Sequence, residues 1–414
     1  MQPFTLLIKP SGSDCNVDCE YCFYKCRAPE IGQGRQRMSD EVLHTLVKDY
    51  MELRFPVSGF AWQGGEPTLM GLDFYRKTVE WQVQYGVSGQ EVGNSLQTNA
   101  ILLDSDEWGK FLHEARFLVG ISIDGPKELH DRYRLDLGGH GTWDRVMRAI
   151  DCCKRHDVEF NTLTLINNLT AEHPDEVFDF LLDLGVRYLQ FIPCVEVDPQ
   201  TGQIAEFSVS PEQYGEFLCR IFDRWLAVGP DKLSIRDFDS LLSYCIGGRH
   251  TICTFDRQCS QYIVIEHSGD VFPCDFFVEP QWKLGNIVET PIQELAASAK
   301  KRAFARRKQN LNNRCLVCRH LAVCRGGCMK DRAPRGEGVP PLRPVGIVPV
   351  REEQGQDALA TEDKGRMPSP RDDQGRESYF CESYQRFFDY ALPKLMQVAA
   401  KIRSGSLVRP QQLT

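Results

Sequence analysis

Residues 4–24 read FTLLIKPSGSDCNVDCEYCFY: a short β-rich run, a turn-forming stretch, then three cysteines. FTLLIKP has the composition of a buried strand. Cys15-x3-Cys19-x2-Cys22 follows it on a loop short enough for three thiolates to converge on one iron–sulfur cube. Three ligands leave the fourth iron free to bind something other than protein. Zinc is the competing occupant, but structural zinc takes four ligands, commonly from two CxxC-like knuckles. Cys26 is available as a spare fourth ligand, though its offset after Cys22 favours a bystander.

Outward from that loop, five further runs have strand character: GFAWQGG, NSLQTN, FLVGISIDG, FNTLTLIN and YLQFIPCV. Segments of helical period separate them: DEVLHTLVKDYMEL, LDFYRKTVEWQVQYG, SDEWGKFLHEA, TWDRVMRAIDCCKRHD and DEVFDFLLDLG, with Ser39, Thr142 and Asp175 as caps near their starts. Strand–helix alternation predicts parallel pairing. The expected fold is α/β, a partial (β/α)6 TIM-like barrel over residues 1–209. Parallel-sheet enzymes place chemistry at the carboxyl ends of their strands, where QGGEP, QTN, SIDGP and QFIPC fall here.

Residues 210–250 read as a helical connector beginning PEQYGEFLCRIFDRWLAV, and residues 251–402 as a cysteine-rich second domain. Within it, YIVIEHSGDVFPCDFF alternates around Ser268-Gly269-Asp270 as a β-hairpin does. Residues 333–378 are dense in Pro, Gly and charge, so a flexible insertion without catalytic role is expected. YQRFFDYALPKLMQVAAKI is helical in period despite Pro393, and is expected to pack on the second domain; residues 403–414 form a tail.

Composition narrows the function. The 414 residues are 42% hydrophobic and carry 49 Lys plus Arg against 57 Asp plus Glu, a net charge of -8 without a long basic run. A nucleic-acid partner is not expected. No basic leader precedes the first apolar stretch and no run is long enough for a membrane span, so the expectation is a cytoplasmic protein away from membranes. Seventeen cysteines there stay reduced and able to bind metal. Cys152, Cys153, Cys194, Cys219 and Cys245 read as small buried hydrophobes; the other twelve cluster.

Eight of those twelve lie late in the chain: Cys253, Cys259, Cys274, Cys315, Cys318, Cys324, Cys328 and Cys381. Eight thiolates complete two four-cysteine iron–sulfur clusters, and two zinc ribbons are the alternative.

The Cys15/Cys19/Cys22 spacing with Phe23-Tyr24 resembles the radical S-adenosylmethionine (SAM) superfamily. In that superfamily the amino and carboxylate groups of SAM occupy the open iron, and reduction yields a 5'-deoxyadenosyl radical. The resemblance implies that Tyr21, Gly65, Glu66, Ser122, Arg134 and Val195 hold SAM, with Glu66 accepting from its ammonium group. The late cysteines resemble the SPASM auxiliary-cluster module of peptide-modifying radical enzymes. That likeness implies one [4Fe-4S] cluster on Cys253, Cys259, Cys274 and Cys328 and another on Cys315, Cys318, Cys324 and Cys381, three clusters in all.

CNVDCEYCFY, QGGEPTL, QTN, SIDGP, HDRYR, QFIPC, PCDFF, LGNI and CRGGC together resemble the anaerobic sulfatase-maturating enzymes. Members oxidise a Cys or Ser of a sulfatase to Cα-formylglycine, within an unfolded Cys/Ser-x-Pro/Ala-x-Arg segment. The resemblance implies Asp275 as catalytic base, Tyr24 and Gln63 as substrate contacts, and an electron donor such as flavodoxin or ferredoxin. A surface carboxylate is the plainer role for Asp275, and core packing for Tyr24. Two other activities compete: radical crosslinking of another ribosomal peptide, and non-catalytic electron carriage. The link between CRGGC and Cys381 is longer than the family's pattern, though loop closure cost grows slowly with length.

Overall fold

The computed structural model describes residues 3–25, 34–198, 200–332 and 376–405. Cys26 and most of the 333–378 stretch lie outside them. The six expected strands form as β1 (Thr5–Lys9), β2 (Val57–Trp62), β3 (Glu91–Thr98), β4 (Leu118–Ser122), β5 (Phe160–Ile166) and β6 (Tyr188–Pro193). They lie side by side in chain order, every pair parallel. Burial alternates along most of these strands, and apolar residues such as Leu6, Ile8, Val119 and Ile121 are almost wholly buried.

The described residues extend this sheet at both edges. β7 (Ser234–Ile235) adds beyond β6. On the other side β8 (Tyr262–Glu266) runs parallel to β1, in a register that sets Thr5 opposite Tyr262 and Lys9 opposite Glu266. β9 (Asp270–Phe272) and β10 (Gly285–Asn286) follow antiparallel. Gly269, at φ +84°, makes the expected hairpin turn possible. Strands from both sides of residue 250 therefore share one sheet, and the segment after β9 brings the Asp275 carboxylate to 3.6 Å from Nζ of Lys9, the last residue of β1.

Five helices cover the barrel: Asp40–Met51, Leu72–Tyr85, Asp106–Glu114, Trp143–Arg155 and Pro174–Asp183. Ser39 caps the first, accepting from Val42 N at 3.2 Å. Two expected caps differ. Thr142 precedes Trp143, but its hydroxyl donates to Arg134 O at 2.8 Å. Asp175 lies inside the first turn because Pro174 opens that helix; its carboxylate instead meets Arg220 and Arg224 at 2.9 and 2.7 Å.

Pro211–Val228 and Arg236–Gly247 form the connector. The last helix, Cys381–Arg403, continues through Pro393 and packs chiefly on these two rather than on the cysteine-rich region expected. Its aromatic stripe is the reason: the Phe387 ring lies 5.7 Å from Phe222 and 5.3 Å from Phe238. Of the five cysteines read as hydrophobes, Cys152, Cys153 and Cys194 are buried and Cys219 and Cys245 partly exposed. No helix of the described residues is long and apolar enough to cross a membrane.

Candidate active site

The cysteine loop leaves β1 and is clamped on two sides. Gly65 N donates to Gly12 O and Glu66 N to Asp14 O, each at 2.8 Å. A Cβ on Gly65 would stand 2.1 Å from Asp14 O, so this glycine serves close packing of the QGGEP turn on the cysteine loop. From the other side Asp18 N donates to Leu135 O at 2.7 Å and Glu20 N to Tyr133 O at 3.2 Å. Asn99, at the end of QTN, places its amide 3.7 Å from Cys15 Sγ and 2.8 Å from Asn16 Oδ1.

The thiol spacing discriminates between zinc and a larger centre. Tetrahedral zinc with bonds of about 2.3 Å draws its sulfurs to about 3.8 Å from one another. Among the described residues, the one trio of Cys, His, Asp or Glu ligand atoms all within 4.8 Å is Asp106, Cys152 and His156, outside the predicted sets. The late cysteines instead line two cavities. Cys253, Cys259, Cys274 and Cys328 face one of about 70 Å³. Cys315, Cys318, Cys324 and Cys381 face the other, of about 220 Å³. Both exceed the roughly 10–15 Å³ that admits a single water. Two wide four-thiol cavities and a loop of three part-buried thiols fit [4Fe-4S] clusters better than zinc. The grouping also brings Cys381 to the second set across the long link.

Glu66 is wholly buried. Its Oε1 accepts from Thr68 N, Thr68 Oγ1 and Thr98 Oγ1 at 2.9, 2.6 and 2.7 Å, and its Oε2 from Asn99 N at 2.8 Å. Burial raises its pKa, and these donors counteract the rise. The carboxylate thus staples the turns after β2 and β3, and a lone-pair direction on Oε2 remains for a ligand's donor.

Arg134, which the resemblance implies as a SAM contact, is 8% exposed and bidentate with Asp124: Nε–Oδ2 2.8 Å, Nη2–Oδ1 3.1 Å. Tyr21 OH donates to the same carboxylate, as does Leu165 N at 2.9 Å. Burial pushes the Asp124 carboxyl up, but the Arg134 charge, the Arg134 and Tyr21 hydrogen bonds and the other groups around it together hold the carboxyl below its ordinary value. His130 is pushed down to about 3, by burial first and by Arg134 next. A neutral His130 accepts from Asp124 N through Nδ1 at 3.3 Å and donates through Nε2 to Thr142 at 3.0 Å. Asp124 is the one acid of SIDGP, and nothing in the sequence alone singles it out. Arg134→Met leaves that buried carboxylate without its cation, so stability should fall by about 3–5 kcal/mol, read from the denaturant midpoint.

Ser122 Oγ accepts from Gln97 Nε2 at 3.1 Å. Val195 is buried and its carbonyl accepts from Lys330 Nζ at 2.6 Å; Lys330 also pairs with Glu196 at 2.6 Å. That lysine ties the end of β6 to the Cys328 segment.

Asp275 is 7% exposed rather than a surface carboxylate. Lys9 Nζ stands 3.6 Å from its Oδ2, and Tyr262 OH donates to its Oδ1 at 3.4 Å. Tyr24 is buried with its hydroxyl bonded to Glu266 and its ring beneath Lys9 Nζ, 4.6 Å from the centroid. Its neighbour Phe23 packs on Phe276 at 4.8 Å, so the cysteine loop and the hairpin share a wall. Gln63 is partly exposed, its backbone N held by Ile8 O at 2.8 Å. Asp275 and Tyr24 thus meet in one polar cluster, whose members Lys9, Tyr262 and Glu266 the sequence did not single out.

Comparison with known proteins gives two family matches: the Radical SAM superfamily over residues 10–181 and the iron–sulfur cluster-binding SPASM domain over residues 253–319. The cysteine-type anaerobic sulfatase-maturating enzyme of Clostridium perfringens is 35% identical over 97% of this chain and all of its own. The serine-type enzyme of Bacteroides thetaiotaomicron is 38% identical over 82% of this chain and 86% of its own. The solved structure of native anSMEcpe with bound AdoMet and the Cp18Cys peptide superposes with a TM-score of 0.81, at 34% identity over 97% of this chain and all of that one.

Proposed function

The chain belongs to the anaerobic sulfatase-maturating enzymes, and from that premise we propose that it oxidises a Cys or Ser side chain of a sulfatase polypeptide to Cα-formylglycine. The observation that carries the reading is the meeting of the cysteine loop and the Asp275 segment, through Phe23 on Phe276 and through Lys9 between Tyr24 and Asp275, within a chain matched over 97% of its length. When bound, SAM on the first cluster supplies a 5'-deoxyadenosyl radical, and the auxiliary clusters supply an acceptor for one electron.

The residues divide the remaining work. Cys15, Cys19 and Cys22 hold the first cluster, and the two cavity sets hold the auxiliary ones. Tyr21, Gly65, Glu66, Ser122, Arg134 and Val195 form the SAM site; Arg134 acts there through Asp124 and Tyr21, while Glu66 offers its remaining lone pair to the ammonium. Asp275 takes the thiol or hydroxyl proton of the target residue as its Cβ gives up a hydrogen atom. Loss of one further electron leaves a thioaldehyde from Cys, which water converts to the aldehyde and hydrogen sulfide, or the aldehyde directly from Ser. Gln63 and the Tyr24 ring face the reacting side chain, since the Tyr24 hydroxyl is engaged by Glu266.

The substrate is an unfolded Cys/Ser-x-Pro/Ala-x-Arg segment, and an electron carrier of the flavodoxin or ferredoxin type serves the clusters in the cytoplasm. Reconstituted protein, reductant, SAM and a Cys-x-Pro-x-Arg peptide should together yield the formylglycine mass change; an unchanged peptide beside newly formed deoxyadenosine would move the activity to another peptide. Cys381→Ala should cost about four iron atoms per chain while deoxyadenosine formation persists. Iron and sulfide analysis with the electron paramagnetic resonance spectrum of the reduced auxiliary clusters checks this, and unchanged iron together with an unchanged spectrum would remove Cys381 from the ligand set.

A further inference from the structure

We propose that Lys9 is a positioning residue for formylglycine formation: its ammonium fixes the Asp275 carboxylate in place and ties it to the Tyr24 wall of the substrate pocket. This rests on the activity proposed above.

Lys9 is 1% exposed at the end of β1, on the strand face it shares with Thr5 and Leu7, opposite the face of the fully buried Leu6 and Ile8. Burying an ammonium is unfavourable unless it is paired. The charge is nevertheless present, and its surroundings explain it. The parallel register of β1 and β8 sets Lys9 opposite Glu266. The hairpin that follows brings Asp275 Oδ2 to 3.6 Å from Nζ. Tyr24, from the cysteine loop, lies under the same ammonium with its hydroxyl on Glu266.

Lys9 is therefore the side chain that touches both the acid assigned the proton and the aromatic ring assigned to the substrate wall. Tyr262 and Cys274 bound Asp275 elsewhere, at 3.4 and 3.7 Å from Oδ1. At 3.6 Å the ion pair orients the carboxylate without a tight hydrogen bond, which leaves lone pairs of Oδ2 to accept a substrate proton. Glu266 Oε2 is buried without a hydrogen-bond partner, so this carboxylate can rotate little without losing Tyr24. The cluster is built around Lys9 rather than merely tolerating it.

Full-length protein carrying Lys9→Met and Lys9→Arg tests the role, with iron content and the electron paramagnetic resonance spectrum of the SAM-bound reduced cluster as checks of integrity. The readouts are formylglycine formed per deoxyadenosine released, and peptide binding measured separately by calorimetry. Lys9→Met should lower the ratio at least tenfold with peptide affinity and spectrum near wild type, and Lys9→Arg should recover part of it. An unchanged ratio in Lys9→Met overturns the proposal. Should Lys9→Met fail to load iron, the Lys9→Met/Asp275→Asn double variant removes both charges together. It should match Asp275→Asn alone, because the two act as a unit; a further tenfold loss overturns the proposal. Wild type that forms deoxyadenosine but no formylglycine overturns the underlying activity, an outcome separate from an unchanged ratio.

Discussion

Cys15→Ala abolishes 5'-deoxyadenosine formation and removes about a third of the iron, since one of three clusters loses a ligand it cannot replace. The loop around Cys15 is held mainly by backbone contacts, Gly65 N to Gly12 O and Glu66 N to Asp14 O, which the substitution leaves in place. The polypeptide should therefore remain folded, with both auxiliary cavities, formed far along the chain, still loaded. Iron analysis and chromatography of the nucleoside product check the two halves of this result. Full deoxyadenosine production by the variant would contradict the assignment of the first cluster. Loss of all the iron would show that the loop organises the whole molecule rather than one site.

Asp275→Asn should lower formylglycine production by about 10²- to 10⁴-fold, the range general-base catalysis supplies, while deoxyadenosine continues to form. Asparagine nearly matches the shape of aspartate but cannot take a proton. Hydrogen-atom removal depends on the radical and on proximity, so it should persist, and the two products should separate. The substitution also removes one of the two carboxylates beside the buried Lys9, so a thermal midpoint below wild type is expected alongside the kinetic effect. Quantifying both products from one reaction distinguishes this from a binding defect, in which they fall together.

The barrel was legible because short β-rich runs alternate with segments of helical period, and all six strands appear where FTLLIKP through YLQFIPCV suggested. Helix starts were less so. Thr142 and Asp175 have the chemistry of caps, yet a buried carbonyl and two arginines claim their oxygens. Spacing could not assort the late cysteines, because Cys328 joins Cys253, Cys259 and Cys274 while its near neighbour Cys324 joins Cys381. Resemblance to a family supplied that grouping, and the cavities agree with it.

Lys9, Asp124 and Glu266 escaped for a related reason. Each is a charge near the end of an apolar strand, unremarkable alone, and acquires meaning from partners brought by distant segments. Lys9 meets Glu266 and Asp275 only once β8 pairs with β1. Asp124 was in view within SIDGP, but its claim on Arg134 depends on the turn that follows β4. Arg134, read as a ligand contact, bonds the Asp124 carboxylate that also accepts from Tyr21.

The most direct test of hydrogen-atom abstraction from the target residue is isotopic. A Cys-x-Pro-x-Arg peptide deuterated at the cysteine Cβ is incubated anaerobically with reconstituted protein, reductant and SAM, and 5'-deoxyadenosine is analysed by mass spectrometry. One deuterium per deoxyadenosine, accompanied by formylglycine in the peptide, is the predicted result. Deoxyadenosine without deuterium, from a sample that still consumes SAM, would contradict it.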